Sequence, residues 1–363
     1  LVGTTVRPVT ERHKISPEEL SYVVDSTASP IASLIPFNAW PIVVVPLIFV
    51  PGVEYLATEP DRMRFFFSAV PLSFYSIFAV TGTFLLAIDK APLLGNRFRT
   101  AIARSRGQTS PHPSATAALS EVATDTIEPM GWEGEVAAQV DPDYQAHYFE
   151  FLIPLVALIG IAVGTAFWYG KPMVHWAFAV ALIISLMISL FRGIRFSALV
   201  DGVGDGLKSV TVASVILVLA VILGGLTREL GAGLYVSAAI GENIPQLVFP
   251  GLLFVLTGAI AFSTGTSFGT YAIAYPLTMP MAVAMAAGLP PAASQWYVMI
   301  CFAAVLNGSV WGDQCSPISD TTILSSLVSG CDLIDHVRTQ LVPALAAGGL
   351  AVVAWTLFAA VVT

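Results

Sequence analysis

Charge is what this chain has least of. Asp, Glu, Lys and Arg together make up 11% of its 363 residues, against about a quarter in a soluble domain, so most of the chain has no ordinary water-facing surface. Basic residues are the scarcer sign, 16 Lys and Arg against 24 Asp and Glu, for a formal net charge of -8. No basic stripe exists to neutralise phosphates, which excludes nucleic acid as a partner. Three cysteines, Cys301, Cys315 and Cys331, are too few for a disulfide framework and match no zinc spacing; Cys301 reads as core and Cys331 as incidental. No H-E-x-x-H, P-loop or dinucleotide fingerprint occurs. The five histidines, His13, His112, His147, His175 and His336, all fall in or near expected loops. Leu1 to Glu19 is polar and lacks a signal-peptide core, so the chain reads as a piece whose N-terminal part is missing.

Apolar runs are what the chain has in abundance. Hydrophobic residues are 56% of it and the mean hydropathy is +0.78. Phe65 to Ile88, Phe149 to Trp168, Val174 to Phe191, Val210 to Leu226, Leu247 to Phe262, Ala293 to Val310 and Leu341 to Val362 approach or exceed the ~18 residues of a membrane helix. Ile42 to Leu56 and Tyr271 to Ala287 are shorter or Pro-interrupted. These runs predict an all-α polytopic membrane protein surrounded by lipid, with Phe65-Phe66-Phe67, Trp168 and Tyr169 as interfacial anchors.

Lys90 to Tyr148 is the only extended polar stretch. Arg97, Arg99, Arg104 and Arg106 follow a membrane run directly, which marks the cytoplasmic side. Counting from there, Arg192, Arg195, Arg7, Arg12 and Lys14 fall inside, while Arg62 and Arg64 fall outside, against the rule. The loop, with His112, His147, Asp125, Glu128 and Glu133, reads as a disordered linker, with a pH-sensing segment as the alternative. Ser197 to Lys208 reads as an interfacial link between two halves.

Three polar patches interrupt the apolar sequence: Asp25-Ser26-Thr27-Ala28-Ser29-Pro30, Ser263-Thr264-Gly265-Thr266-Ser267-Phe268-Gly269-Thr270, and Gly312-Asp313-Gln314-Cys315-Ser316-Pro317-Ile318-Ser319-Asp320-Thr321-Thr322. An Asp at the centre of a membrane helix costs about 2.5 to 3.5 kcal/mol on insertion scales, so two ask for about 5 to 7 kcal/mol of compensation. A bound cation, a shared proton or a water-filled cavity supplies that. Gly and Pro free backbone groups that membranes tolerate only where they line a cavity or bind something, as broken helices do in secondary transporters. Val24-Asp25-Ser26-Thr27 also resembles Ser319-Asp320-Thr321-Thr322, and on the topology above the two copies approach from opposite sides, as an inverted repeat requires. A rival reading exists. Gly265-Thr266-Ser267-Phe268-Gly269 fits G-x-S-x-G, with Asp320 and His336 following in the order of a serine hydrolase, but a nucleophile elbow needs a strand before Ser267, and Leu247 to Phe262 is helix-length.

The long patch, with Gly265-Thr266-Ser267-Phe268-Gly269-Thr270 and Asp25-Ser26-Thr27-Ala28, resembles the NhaC-type sodium/proton antiporter family. Lys14-Ile15-Ser16, Gly330-Cys331-Asp332 and Asp335-His336-Val337-Arg338 resemble it too. The resemblance implies an inverted-repeat transporter with broken helices and re-entrant hairpins, a homodimeric scaffold, a prokaryotic inner membrane, and no cofactor beyond the transported Na+ and H+. It divides the chain into the remainder of a first transport repeat (1–89), a cytoplasmic loop (90–148), linking helices (149–195) and a second transport repeat (196–363). Family members also exchange small organic anions such as malate and lactate, or amino acids, so the cargo stays open.

Hard cations want oxygen ligands, and the expected Na+ and proton site comprises Asp320, Thr321, Thr322 and Ser319 with Asp25, Ser26 and Thr27. Asp313 is an alternative second carboxylate, although Gly-Asp is also an ordinary turn signal. Gly265, Thr266, Ser267, Gly269, Thr270, Asn307 and Ser316 are expected to line the site, the glycines with close helix packing as their other reading.

Overall fold

Helix starts and stops follow the polar punctuation of the sequence. In the computed structural model, which describes residues 7, 10–35, 38, 40–107, 147–169, 173–230 and 244–363, α1 (Pro17–Ser26) opens on a capping box. The Glu19 carboxylate accepts from the Ser16 N–H at 2.8 Å and Ser16 Oγ from the Glu19 N–H at 3.1 Å, two otherwise orphaned donors satisfied together. Thr27 and Ala28 break the chain before α2 (Ser29–Leu34). After α3 (Trp40–Val44), 3-10 turns lead to α4 (Glu59–Ala69) and α5 (Phe74–Ala87).

The run Phe65 to Ile88 is therefore not one straight span. Pro71 interrupts it, and the two halves are bent by 46°. The freed backbone groups find side chains: the Leu72 carbonyl accepts from Trp355 Nε1 at 3.0 Å, and the Ser76 N–H donates to Asn307 Oδ1 at 3.0 Å, as buried backbone requires.

Part of the expected polar loop is also helical. α6 (Asn96–Ser105) buries Phe98 and Ala101, and Phe98 meets the Tyr22 ring of α1 edge-on at 5.5 Å. Arg104 pairs with Glu18, and Arg106 pairs with Asp89 at 2.6 Å and approaches Glu19 at 3.8 Å. An amphipathic spacing too short to register among so many charges is the reason the sequence reads as loop. His112, Asp125, Glu128 and Glu133 lie outside the described residues.

Then come α7 (Tyr148–Tyr169), α8 (Val174–Phe191) and α9 (Phe196–Glu229). Ser197 to Lys208 is thus part of a continuous helix and not a separate link; it contains no Pro to stop it. The chain ends with α10 (Phe249–Thr264), α11 (Ser267–Met285), α12 (Pro291–Cys315), α13 (Asp320–Ser329) and α14 (Leu333–Val362). No strand occurs among the described residues.

These residues fall into two compact units, one of Leu1–Pro36, Val43–Thr126 and Ala220–Thr363, the other of Phe37–Ile42 and Ile127–Leu219. In the second, α7 packs on α8 and Arg192 bonds Glu150 at 2.7 Å. Trp168 and Tyr169 point outward, as interfacial residues do, whereas Phe65 and Phe66, expected as anchors too, are buried in the first unit against Phe302. In the first, α12 is central and buried on every side from Tyr297 to Val310. It lies against α10 through glycines: a Cβ on Gly312 would come within 2.0 Å of the Gly258 carbonyl oxygen, and one on Gly308 within 2.4 Å of the Phe254 carbonyl oxygen, the small-residue packing of membrane helices. Among the described residues, Leu152–Tyr169, Pro291–Cys315 and Leu333–Val362 are long and apolar enough to cross a membrane, and the bent pair of α4 and α5 makes a fourth candidate.

Candidate functional site

Helix breaks in the first unit bring polar side chains to one place. Asp25 is on the last turn of α1, buried, with Oδ2 at 3.3 Å from His336 Nε2 in the first turns of α14. The same oxygen is 3.4 Å from Thr322 Oγ1 near the start of α13. Beside it, Gln314 Nε2 donates to Ser26 Oγ at 3.0 Å and the Tyr75 hydroxyl donates to Gln314 Oε1 at 2.6 Å. α12 ends at Cys315, so its last carbonyls lack helical donors. That of Gln314 takes the Thr322 hydroxyl at 3.3 Å and the side-chain amide of Gln340.

Asp313, in the last turn of α12, is the second buried carboxylate. Its Oδ2 accepts from Ser267 Oγ at 3.0 Å, while its Oδ1 has no hydrogen-bond partner among the described residues. Asp313 is within electrostatic reach of both Asp25 and Asp320. No Lys or Arg forms an ion pair with any of the three among the described residues. A carboxylate buried in that way is costly unless something positive or a proton joins it.

The remaining expected site residues take several positions. Asp320 is exposed at the first position of α13, where its Oδ1 accepts the Thr321 N–H at 2.8 Å; this is a helix-start position rather than a buried one. Ser319 precedes it as the N-cap residue, with Oγ 2.9 Å from Thr321 Oγ1. Thr27 turns its hydroxyl back onto the Val23 carbonyl. The matched patterns around Asp25 and Asp320 therefore occupy opposite helix ends. Gly265 closes α10 at φ 66° and Thr266 caps α11, accepting the Gly269 N–H at 3.3 Å. Thr270 donates to the Thr266 carbonyl at 2.9 Å. This patch is a helix-to-helix turn from which Ser267 alone bonds a carboxylate. Ser316 ties the break after α12 to the Phe262 carbonyl at 2.8 Å. Gly312-Asp313 is not a turn, since α12 runs on past it. Asn307 stands apart, bonded to Ser76, which Ser33 joins at 2.6 Å.

The hydrolase elbow does not form. Helix α10 and not a strand precedes Ser267, and His336 engages Asp25 and not the serine. His336, read as in or near a loop, lies in the first turn of α14 and is wholly buried. Its signal in the sequence is a polar stripe, His336, Thr339 and Gln340, at helical spacing ahead of an apolar run; all three are buried. Gln314 sits inside the long polar patch, where the neighbouring acids outweigh it, and Tyr75 has no such signal because it is one aromatic residue within the apolar run Phe65 to Ile88.

Broken helices with buried carboxylates define an all-α polytopic membrane protein of the secondary-transporter class. A sequence model described as the Na+/H+ antiporter family matches residues 43–359. The chain belongs to the Na+/H+ antiporter family, a family of transporters and not of enzymes. It is 32% identical over 350 residues to an uncharacterized protein of Haemophilus influenzae, covering 94% of this chain and 63% of that protein. It is 26% identical over 212 residues to the Malate-2H(+)/Na(+)-lactate antiporter of Bacillus subtilis, covering 53% of this chain and 39% of the other. Against the Na(+)/H(+) antiporter NhaC of Alkalihalophilus pseudofirmus it is 26% identical over 195 residues, covering 52% and 39%. The chain thus spans between about two-fifths and three-fifths of the length of these relatives. No solved structure matches it.

Proposed function

We propose that the protein exchanges Na+ for H+, with Asp25 and Asp313 as the carboxylates for which the two ions compete. The observation that carries this reading is the pair of buried acids at helix breaks, neither paired with Lys or Arg among the described residues. Asp25 and Asp313 are within electrostatic reach of each other, and like charges repel, by ~3 kcal/mol for a pair about 5 Å apart at an effective dielectric of ~20. Either cation relieves that repulsion. Sodium favours the doubly charged pair and expels the proton, and the proton weakens the sodium site, which is the coupling an exchanger needs. Asp313 Oδ1, the hydroxyls of Ser267, Thr322 and Ser319, and carbonyls at the α12 break offer the oxygen ligands of a hard cation. Ser26, Thr27, Ser316, Thr321 and the Gly265 to Thr270 turn support those groups. Asp320, at the margin, modulates the field. The reading places the protein as a homodimer in a prokaryotic inner membrane, with residues 90–148 cytoplasmic and no cofactor.

Exchange of a small organic anion is the second reading, favoured by the name of the Bacillus subtilis relative. Proteoliposome assays separate the two. Na+/H+ exchange predicts sodium-driven proton movement in salt alone, lost by about a hundredfold or more in Asp25→Asn and in Asp313→Asn, since even outer-shell partners of metal ligands are worth roughly 10–100-fold. Asp320→Asn costs about tenfold or less, in keeping with a helix-start role. Saturable malate or lactate uptake without exchange in salt would instead establish the second reading, and undiminished exchange in Asp313→Asn would remove that residue from the site.

A further inference from the structure

Helix α13 is inside out. Its four buried residues are Thr322, Ser325, Ser326 and Ser329, while Leu324 and Leu327 are exposed. The hydroxyls recur at i, i+3, i+4 and i+7 and so form one face. α1 presents the matching face, with Glu18, Ser21 and Asp25 at i, i+3 and i+7. The two helices pack along each other in opposite directions: Thr322 meets Asp25 at 3.4 Å at one end. At the other, Cys331, just past α13, is within electrostatic reach of Glu18 and Arg104.

Outward leucines are what lipid selects, but a buried face made wholly of hydroxyls gains nothing from an apolar neighbour. Nor are these groups used up by one another. Glu18 Oε2, Ser21 Oγ and Ser329 Oγ have no hydrogen-bond partner among the described residues, although each residue is more than nine-tenths buried. Buried polar atoms in that condition are met by water or by an ion, and polar side chains at membrane depth face the bundle interior or a water-filled cavity.

We infer that the seam between α1 and α13, closed in this structure, opens to water as a passage through which the transported monovalent cation reaches Asp25 from the Glu18–Arg104 end. Hydroxyl oxygens spaced along two helices replace the hydration shell stepwise, as pore linings do. The ion pair of Glu18 with Arg104 of α6 stands at the mouth. The inference rests on the exchange reading for the identity of the cargo, but not for the existence of the passage.

Thiol accessibility tests it. In the full protein carrying Cys331→Ser, cysteines placed by Ser21→Cys and Ser329→Cys, one on each helix, are exposed to a cationic, membrane-impermeant methanethiosulfonate. Leu327→Cys is the lipid-facing control. The reagent needs water and a thiolate, so the two seam cysteines are expected to react at least about tenfold faster than Leu327→Cys. Reading two positions keeps the test alive if one variant does not fold. Rates in monodisperse, folded protein no faster than that of Leu327→Cys would overturn the passage. Fast labelling in a protein that shows no sodium-driven proton movement would overturn the exchange reading and leave the passage standing.

Discussion

Asp313 accepts the Ser267 hydroxyl on Oδ2, and its Oδ1 has no hydrogen-bond partner among the described residues. The Ser267 hydroxyl at 3.0 Å fixes the carboxylate's rotamer and so aims Oδ1, the oxygen available to a cation. A hydrogen bond to a charged group is worth about 1.5–3 kcal/mol, which is roughly ten- to a hundredfold in an equilibrium constant. Ser267→Ala is therefore expected to weaken the apparent Na+ affinity by about tenfold while leaving the maximal exchange rate within about threefold. Sodium titrations of exchange in proteoliposomes read the two separately, and an unchanged half-saturation would show that Ser267 only caps α11. At this scale the sequence is legible where polar residues cluster against type. Asp25, Asp313 and Ser267 declare themselves because each stands with other oxygen-bearing residues inside apolar runs. The ranking among the acids is not legible, since Asp320 has the same neighbours as a ligand would but occupies the first position of α13, where the backbone N–H of Thr321 takes its charge. Asp313 is buried on α12 and Asp320 is exposed at the start of α13, a difference set by how the two helices pack and not by any local pattern.

Close helix approach around α12 determines whether the acids are held in place. Gly258, Gly308 and Gly312 let α10 and α12 touch through backbone, and Asp313 is the residue after the last of them. Gly312→Ala would drive a methyl group to 2.0 Å from the Gly258 carbonyl oxygen, a clash with backbone that no rotamer relieves, and overpacking of this kind costs about 1–3 kcal/mol or more. Gly164, by contrast, has nothing within 4 Å of an added Cβ, and Ala there gains about 0.5–1 kcal/mol of helix propensity. Thermal unfolding in detergent should show Gly312→Ala melting well below wild type and Gly164→Ala at or above it; equal melting of all three would mean that α10 and α12 are not in backbone contact. Long apolar helices such as α12 and α14 are legible from length alone. Broken ones are not: Phe65 to Ile88 satisfies every test for a single span, and only the partners of the freed groups, Trp355 and Asn307, show why the bend near Pro71 is stable. Those partners come from more than 200 residues away, beyond any local pattern.

For the molecule as a whole, the balance of positive charge orients the chain in its membrane. Arg97, Arg99, Arg104 and Arg106 cluster on and beside α6, whereas Arg62 alone, with Arg64, argues the opposite way. Arg62 has another use. Its guanidinium donates to the carbonyls of Val45 at 2.9 Å, Leu56 at 3.0 Å and Ala57 at 3.1 Å, and lies over the Phe49 ring at 5.4 Å. It caps carbonyls that the 3-10 turns leave unsatisfied, and a residue held for packing carries less weight in topology than free charges next to a helix end. The positive-inside rule then predicts that the α6 side, and with it the Glu18–Arg104 mouth, faces the cytoplasm. Arg99 is exposed on α6, so Arg99→Cys in a Cys331→Ser background reports the side directly. An impermeant maleimide should leave this cysteine unmodified in intact cells and modify it once the membrane is opened. Labelling of intact cells would reverse the orientation, place the mouth of the α1–α13 seam outside, and make it the entry for ions from the external medium.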